Sequence, residues 1–251
     1  VYDTYLRNRA KGTVDLKDPY LIHVLQHAYE IFHTCNAYFE EREVVAVIPS
    51  HNVYIQYGII VRLASRYGIP CYRINSRQRG STEFALIKID PADHLGVHPY
   101  YRFKEIFSQF STEAQEQKRS EGRALLEKRL SGHIDSGIKY MRKSAYGRVD
   151  ARRAFPVDSS KPRIVMMLHC FFDSPHRYRS MLFPDFYEWV TYTLQAARET
   201  DFEWYVKPHP NGLPGNEVVI VELKRQFPEI PFLDASLPNN QIVAEGISAI
   251  F

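Results

Sequence analysis

The second half of the chain alternates short apolar runs with amphipathic segments, and this alternation strongly limits the possible fold. The runs IVMML (164–168) and FEWYV (202–206) are separated by PDFYEWVTYTLQAARE (184–199), where apolar side chains recur every three or four residues. NEVVIVELKRQF (216–227) and IPFLD (230–234) continue the series. Strands that alternate with helices predict a parallel, doubly wound sheet.

The first half repeats the pattern more weakly. Helical spacing covers 19–39, with Asp18 as its predicted N-cap. The run VVAVIP (44–49) is typical of a buried parallel strand, and a helix over 53–67 leads to the strand PCYRI (70–74). We therefore expect an α/β fold of two Rossmann-like domains.

The predicted domain boundaries follow from composition. Residues 1–150 form an N-terminal Rossmann-like domain with a charged helical extension, and 151–163 form a linker rich in proline, serine and charge. Residues 164–251 form the C-terminal domain. The final apolar run ISAIF (247–251) is typical of a strand that is just beginning. We expect this second domain to be incomplete.

Charge and apolar patterning narrow the function classes. The 32 basic and 29 acidic residues give a net charge of +3, which is too small to indicate nucleic acid or a membrane surface as a partner. No charged and apolar leader and no long uncharged apolar run is present. Three cysteines far apart in sequence fit a reducing compartment. A cytoplasmic location is expected, and peripheral contact with a membrane stays open.

The loop KPHPNGLPG (207–215) follows a predicted buried strand and precedes a helix. Ligands of open α/β sheets bind at the carboxyl ends of the strands. Two prolines hold Lys207 and His209 on a stiff turn, and the helix near Asn216 directs backbone N–H groups toward the same loop. This combination predicts a phosphate site. Its candidate binding residues are Lys207, His209, Pro210, Asn211 and Gly212. The alternative is a solvated Lys207 beside a His209 bonded to a carbonyl.

The loop HCFFDSPHRYR (169–179) allows three interpretations. His169, Asp173 and His176 are metal-ligand types, but they lack a recognised spacing, and no metal is predicted. Asp173 or His176 is a candidate general base. The residues of the Asp-Ser-Pro segment are also ordinary turn and helix-cap residues. The catalytic and the structural interpretations both stay open.

A third candidate base lies in the first half of the chain. His51 follows a predicted strand and precedes a helix, where it is placed to accept a proton from an acceptor hydroxyl. Its neighbours Ser50 and Asn52 are equally suited to cap that helix. No GxGxxG, GxxxxGKS, GxSxG, HExxH or paired CxxC motif occurs. Nicotinamide dehydrogenase, P-loop and serine hydrolase functions therefore lose their usual sequence support.

Two of these segments together resemble a known family. HCFFDSPHRYRSMLFPDFYEWV (169–190) followed by WYVKPHPNG (204–212) is similar to bacterial capsule and surface-polysaccharide biosynthesis proteins. YIQYGIIVRLASRYGIPCYRI (54–74) looks like the acceptor-side half of such proteins. The resemblance implies a GT-B glycosyltransferase-like architecture of two Rossmann-like domains.

The resemblance also implies a function. It indicates transfer of a sugar from a CMP-, UDP- or CDP-linked donor to a glycan or lipid-linked acceptor, without a required cofactor or a nucleic-acid partner. In related transferases a His-Pro pair contacts the donor phosphate, which corresponds to His209 and Pro210. Peripheral association with the inner membrane or a polysaccharide assembly complex is a further expectation. The alternatives are a nucleotide-sugar 2-epimerase and a non-catalytic subunit of an assembly or export complex.

Overall fold

The computed structural model describes residues 1–76, 84–89, 103–131, 154–155, 160–178, 181–210 and 212–250. Its fold is mixed α/β, with helices and small sheets. The chain divides into two compact units. Unit 1 contains Val1–Phe103 and Phe171–Phe186, and unit 2 contains Lys104–Cys170 and Tyr187–Phe251. The predicted boundaries at 150 and 163 stay predictions, because most of the linker lies outside the described residues.

Unit 1 is built from three helices and a hairpin-like strand pair. The helices are α1 (Tyr2–Arg9), α2 (Tyr20–Glu41) and α3 (Ile55–Arg66), and the strands are β1 (Tyr72–Ser76) and β2 (Phe84–Lys88). Helix α2 packs against α3. Gly68 follows α3 with a positive φ of 70°, and the N–H of Ile69 donates to the carbonyl of Ala64, as is typical of a helix that ends at a glycine.

The helix predicted from residue 19 is confirmed, but fewer residues of its apolar face are buried than expected. The Asp18 carboxylate accepts the N–H of Tyr20 at 3.0 Å, in keeping with its predicted capping role. Only Val24 and Ala28 of α2 are buried, and Leu25 is 51% exposed. Apolar spacing predicts which residues share one face of a helix, but how much of that face is covered depends on tertiary packing.

The parallel β-α-β unit predicted for the first half is largely absent from the described residues. VVAVIP does not form a strand there, because it pairs in parallel through a single bridge between Val47 and Cys71. The chain then continues into β1, which pairs antiparallel with β2. A small core of Val61, Ala64, Cys71 and Ile89 lies beside this bridge. The two predicted partners therefore do pair in parallel, but through one bridge instead of a ladder, and the antiparallel pairing of β1 with β2 was not predicted.

Unit 2 contains the remaining elements. Two helices, α4 (Phe103–Ser108) and α5 (Thr112–Leu130), lie in the predicted charged extension, and α4 begins at the last residue of the first segment of unit 1. The later elements follow the alternation read from the sequence. They are β3 (Arg163–Met167), α6 (Phe186–Ala197), β4 (Glu203–Lys207), α7 (Asn216–Gln226), α8 (Asn239–Ala244) and β5 (Ala249–Ile250).

The sheet of unit 2 is parallel, with the order β4-β3-β5. The segment around Phe232 adds a parallel bridge to Val206 on the other side of β4. The predicted strand IPFLD is thus shortened to one bridge, since Pro231 has no N–H to extend a ladder. The hydrophobic core of unit 2 contains Phe155, Val165, Tyr205, Leu233, Leu237 and Ile242.

None of the helices in the described ranges combines the length and apolarity needed to cross a membrane.

Candidate functional site

The two groups of candidate residues fall in different units. The three candidate bases, His51, Asp173 and His176, belong to unit 1, because the 171–186 segment clusters with the N-terminal residues. The described phosphate candidates, Lys207, His209, Pro210 and Gly212, belong to unit 2. Asn211 lies outside the described residues. Each group is therefore considered within its own unit.

The turn that precedes α3 positions His51. The N–H of Ile55 donates to Oγ1 of Thr4 at 3.0 Å, so α1 holds the first turn of α3 in place. Tyr54, which precedes α3, has φ 60° and ψ 161°, a conformation that tyrosine rarely adopts and that costs about 1–3 kcal/mol. Strain of this kind concentrates at functional sites. It also turns the chain sharply between His51 and the helix.

The environment of His51 favours a neutral imidazole. Its ring packs edge-on against Tyr57, with centroids 4.3 Å apart. Burial lowers the pKa of His51, and the nearby charge of Arg177 lowers it further. Its Nδ1 atom is buried and has no hydrogen-bond partner among the described residues. A neutral imidazole is chemically suited to accept a proton.

His51 lines a cavity of about 540 Å³, which we call the His51 cavity. Amide, imidazole, guanidinium and tyrosine side chains dominate its wall. The polar and aromatic members are Arg7, Asn8, Tyr20, His23, His27, His51, Tyr54, Gln56 and Tyr57. Such side chains bond hydroxyl groups and pack against flat apolar surfaces. The chemistry of the wall suits a ligand that carries many hydroxyls.

His176 has the opposite electrostatic environment. Its Nδ1 lies 2.6 Å from Oδ1 of Asp3, and its ring packs edge-on against Tyr2. The pKa of His176 is raised, chiefly by the hydrogen bond to Asp3, while burial works in the other direction. A base role for His176 stays a prediction, but this contact favours the protonated imidazolium, which is a cation and a proton donor.

Asp173 is exposed beside the buried Phe172 and Ser174. In the described part of the chain it is not among the residues that line either cavity of unit 1 that we discuss. Its candidate base role is also still a prediction. A short 3₁₀ helix, Pro175–Tyr178, follows and turns His176 toward α1.

In unit 2 the loops after β3 and β4 bring two imidazoles together. His169 follows the end of β3, and His209 follows the end of β4. Their ring centroids lie 5.8 Å apart. Parallel neighbouring strands place both loops at the same carboxyl edge of the sheet, where α/β proteins bind ligands. The sequence predicted this edge correctly but did not predict the pairing of His169 with His209.

Lys207 occupies a different environment from the one expected. It is the last residue of β4 and only 4% exposed, and its Nζ donates to the carbonyl of Ala235 at 3.2 Å. Burial lowers the pKa of Lys207, while the carboxylate of Asp234 raises it. The ammonium ties the end of β4 to the 234–236 segment. Phosphate contact by Lys207 stays a prediction that this burial does not favour.

The N-terminus of α7 already uses several of its donors. The N–H of Gly215 donates to both carboxylate oxygens of Glu217, at 3.1 and 3.0 Å, and the N–H of Asn216 donates to Leu213. A Cβ atom at Gly212 would lie 3.2 Å from Nδ2 of Asn216, so glycine allows close packing there. Two of the N–H groups expected to face a phosphate thus have acceptors within the chain.

Some residues around the candidate sites were not found from the sequence. Asp3 and Arg62 line a cavity with His176, yet they lie 173 and 114 positions from it in sequence. No local motif connects them, because only tertiary packing brings them together. His169 was considered solely as a metal ligand. No group of three metal-ligand side chains is placed to hold an ion in the ranges that the structure describes.

Comparisons with known proteins found no match to any protein-family model, curated protein or solved structure.

Proposed function

We propose that this protein is a glycosyltransferase of bacterial surface-polysaccharide biosynthesis, with a GT-B-like arrangement of two Rossmann-like domains. It transfers a sugar from a nucleotide-sugar donor to a glycan or lipid-linked acceptor. The motif resemblance gives the reaction class, and the geometry of unit 2 supports it. Donor binding is assigned to unit 2, and the base that accepts the hydroxyl proton is assigned to unit 1. Peripheral association with the inner membrane belongs to the same proposal.

The observation that carries the proposal is the imidazole pair at the carboxyl edge of the parallel sheet. Across the sheet of unit 2 the order is the Phe232 segment, β4, β3 and β5. If these four are numbered in chain order, starting with β3 as the first, the order across the sheet is 3-2-1-4. This is the order of the first four strands of the doubly wound nucleotide-binding fold. His169 and His209 follow its first two strands, where that fold binds its ligand.

The chemistry of donor activation follows from this position. When the bond between the sugar and the nucleotide breaks, negative charge builds up on the departing phosphate. An imidazole N–H of His209 stabilises that charge if it is aimed at the phosphate oxygen. His169 supports the same anion or orients the His209 ring. Lys207 acts indirectly, because its hydrogen bond to Ala235 holds the end of the strand that precedes His209.

His51 is our candidate for the acceptor base. Proton transfer from the attacking hydroxyl needs a side chain that is neutral at the working pH. The lowered pKa of His51 meets that requirement. The hydroxyl-binding wall of the His51 cavity suits a saccharide acceptor. His176, whose pKa is raised, is less suited to the base role.

The test is turnover of CMP-, UDP- and CDP-linked sugars, with and without oligosaccharide acceptors, by wild type and His209→Ala. We expect acceptor-dependent release of nucleotide that falls about 100-fold or more in the variant. His33→Ala removes an exposed histidine of α2 and serves as the matched control. Turnover without an acceptor would identify an epimerase instead. Activity of His209→Ala close to wild type would contradict the phosphate role.

A second candidate function is a non-catalytic subunit of a polysaccharide assembly complex. The buried Lys207 and the internally bonded donors at the start of α7 favour it, because both reduce the donors available to a phosphate. Absence of turnover with every donor, together with absence of nucleotide binding, would make this the better description.

A further inference from the structure

Unit 1 contains a second cavity, of about 350 Å³, that the proposed function does not use. We call it the α1 cavity. Its wall combines the start of α1, the turn before α3 and the turn after Pro175. The lining residues used below are Asp3, Tyr54, Ile59, Arg62, His176 and Arg177. It shares Tyr54 with the His51 cavity, so the strained turn borders both.

Cationic side chains outnumber anionic ones in this wall. Asp3 contributes a carboxylate, but Nδ1 of His176 lies 2.6 Å from it and balances its charge. Arg62 and Arg177 then remain as two guanidinium groups with no carboxylate partner among the described residues. A wall with two unbalanced guanidiniums attracts an anion.

Both guanidiniums belong to residues that line the cavity. Nη1 of Arg62 donates to the carbonyl of Gly58 at 3.0 Å, which holds the side chain along α3. Arg177 lies in the same 3₁₀ helix as His176, which is anchored to Asp3. A guanidinium also presents several fixed donors, which match the geometry of a carboxylate or phosphate.

We propose that the α1 cavity binds the oxyanion of a small organic acid, a carboxylate or a phosphate ester, through Arg62 and Arg177. The volume exceeds that of a bare oxyanion and lies at the lower end of the range for small-molecule sites. Apolar Ile59 and the ring of Tyr54 supply a surface for the organic part of the ligand. Acidic sugars and sugar phosphates have this combination of groups.

This site is separate from the nucleotide site proposed in unit 2, and its existence does not depend on glycosyl transfer. If the anion is taken to be part of an acidic acceptor, that step rests on the proposed function. The binding of the anion itself rests on the cavity and the two guanidiniums.

The test is an NMR titration of the purified protein, labelled with ¹³C in its histidine rings, at low ionic strength. Glucuronate probes the carboxylate, glucose 1-phosphate probes the phosphate ester, and glucose is the neutral control. We expect either anion, but not glucose, to shift the ring signals of His176 saturably while those of His209 stay in place. The anion that binds more tightly identifies whether the site prefers a carboxylate or a phosphate ester.

Variants then locate the binding. Arg177→Gln and Arg62→Gln are each expected to weaken the anion about tenfold or more, since each removes hydrogen bonds to a charged group. Arg66→Gln is the matched control, because it removes an exposed arginine one turn further along α3. Arg177→Lys keeps the charge but loses the planar fork, and it should give an intermediate affinity.

Two results would overturn the inference. One is that neither anion shifts His176, or that glucose shifts it equally. The other is that His209→Ala abolishes anion binding while Arg62→Gln and Arg177→Gln do not, which would assign the anion to unit 2. The latter result would leave the proposed function standing. Conversely, anion binding to His176 in a protein that binds no nucleotide would refute the proposed function alone.

Discussion

The two units use their cationic side chains differently. Arg62 and Arg177 of unit 1 lie at a cavity wall, exposed and without a carboxylate partner among the described residues. Lys207 of unit 2 is buried and bonded to Ala235. An exposed guanidinium can meet an anion directly, whereas a buried ammonium first stabilises the structure around it. In unit 2 our proposal therefore assigns the direct contact with a ligand to His169 and His209.

A second contrast lies within unit 1. His51 and His176 belong to the same unit, yet burial and the charge of Arg177 lower the pKa of one, and Asp3 raises the pKa of the other. Environments that separate the pKa values of two groups in this way assign them different chemical roles. His51 is suited to accept a proton, and His176 is suited to stay charged.

The largest expected effect tests the structural role of Lys207. Lys207→Ala should lower the free energy of unfolding of unit 2 by about 2–4 kcal/mol, because it leaves a cavity and an unpaired carbonyl. Lys207→Met fills the same space but also leaves the carbonyl of Ala235 unpaired, so it should lose less, about 1–2 kcal/mol. Urea unfolding followed by tryptophan fluorescence reports on unit 2, since Trp189 and Trp204 both lie there.

Lys128→Ala, an exposed position of α5 in the same unit, is the control and should change stability by less than about 0.5 kcal/mol. A loss in Lys207→Met as large as that in Lys207→Ala would show that the hydrogen bond to Ala235, and not the filling of space, accounts for the whole effect. A neutral Lys207→Ala would remove the contrast between the two units.

A smaller effect concerns the two histidines of unit 1. In an NMR pH titration His176 should titrate above about 6.5 and His51 below it. Asp3→Asn should lower the pKa of His176 and leave that of His51 unchanged, because it removes the hydrogen bond that raises the former. Equal pKa values for the two histidines, or a His176 that Asp3→Asn does not affect, would contradict the assigned roles.

The contact between Asp3 and His176 also makes the free energy of unfolding depend on pH. Since folding raises the pKa of His176, the stabilisation by Asp3 is complete below the unfolded value of about 6.5 and disappears as pH rises through the folded value. At pH 6 we expect Asp3→Asn to lower the free energy of unfolding by about 0.5–1 kcal/mol, a small effect because the pair is partly exposed. At pH 9 the loss should be smaller, because His176 is then neutral. His51 has the opposite sign, since its lowered pKa reduces stability as pH falls.

The smallest effect concerns the start of α7. Glu217→Ala removes the carboxylate that accepts the N–H of Gly215, and it should cost about 0.5–1 kcal/mol of stability. It also frees a donor and removes a negative charge near the loop after β4. Nucleotide affinity should therefore rise about two- to fivefold in calorimetry. Glu199→Ala removes the same charge elsewhere in unit 2 and should leave the affinity unchanged. Weaker nucleotide binding by Glu217→Ala would argue against an anion near this helix.

The sequence predicted unit 2 well because its signals are local. A short apolar run such as IVMML is buried on both faces of a parallel sheet, and β3 matches it within a residue. Helix α6 follows the spacing of Val190, Leu194 and Ala197, which are all buried. The run IPFLD was overestimated, since Pro231 limits its pairing to one bridge.

Unit 1 was predicted less well because its pairing and contacts are not local. The apolar residues 44–49 have the composition of a strand, but they pair through Val47 alone. The pairing of β1 with β2 depends on a partner strand that the alternation pattern did not reveal. The contact of Asp3 with His176 spans 173 positions, which no motif spacing predicts. His51 was found from its place after an apolar run, a signal that holds even where the strand does not form.

The most direct test of the account is calorimetric titration of the purified protein with CMP, CDP, UDP and GDP, beside three variants. We expect saturable binding of one nucleotide, weakened at least tenfold in His209→Ala, weakened less in Lys207→Met and retained in His33→Ala. This result would establish the carboxyl edge of unit 2 as a nucleotide site in which an imidazole makes the contact. Binding of no nucleotide, or equal binding by His209→Ala, would contradict that claim.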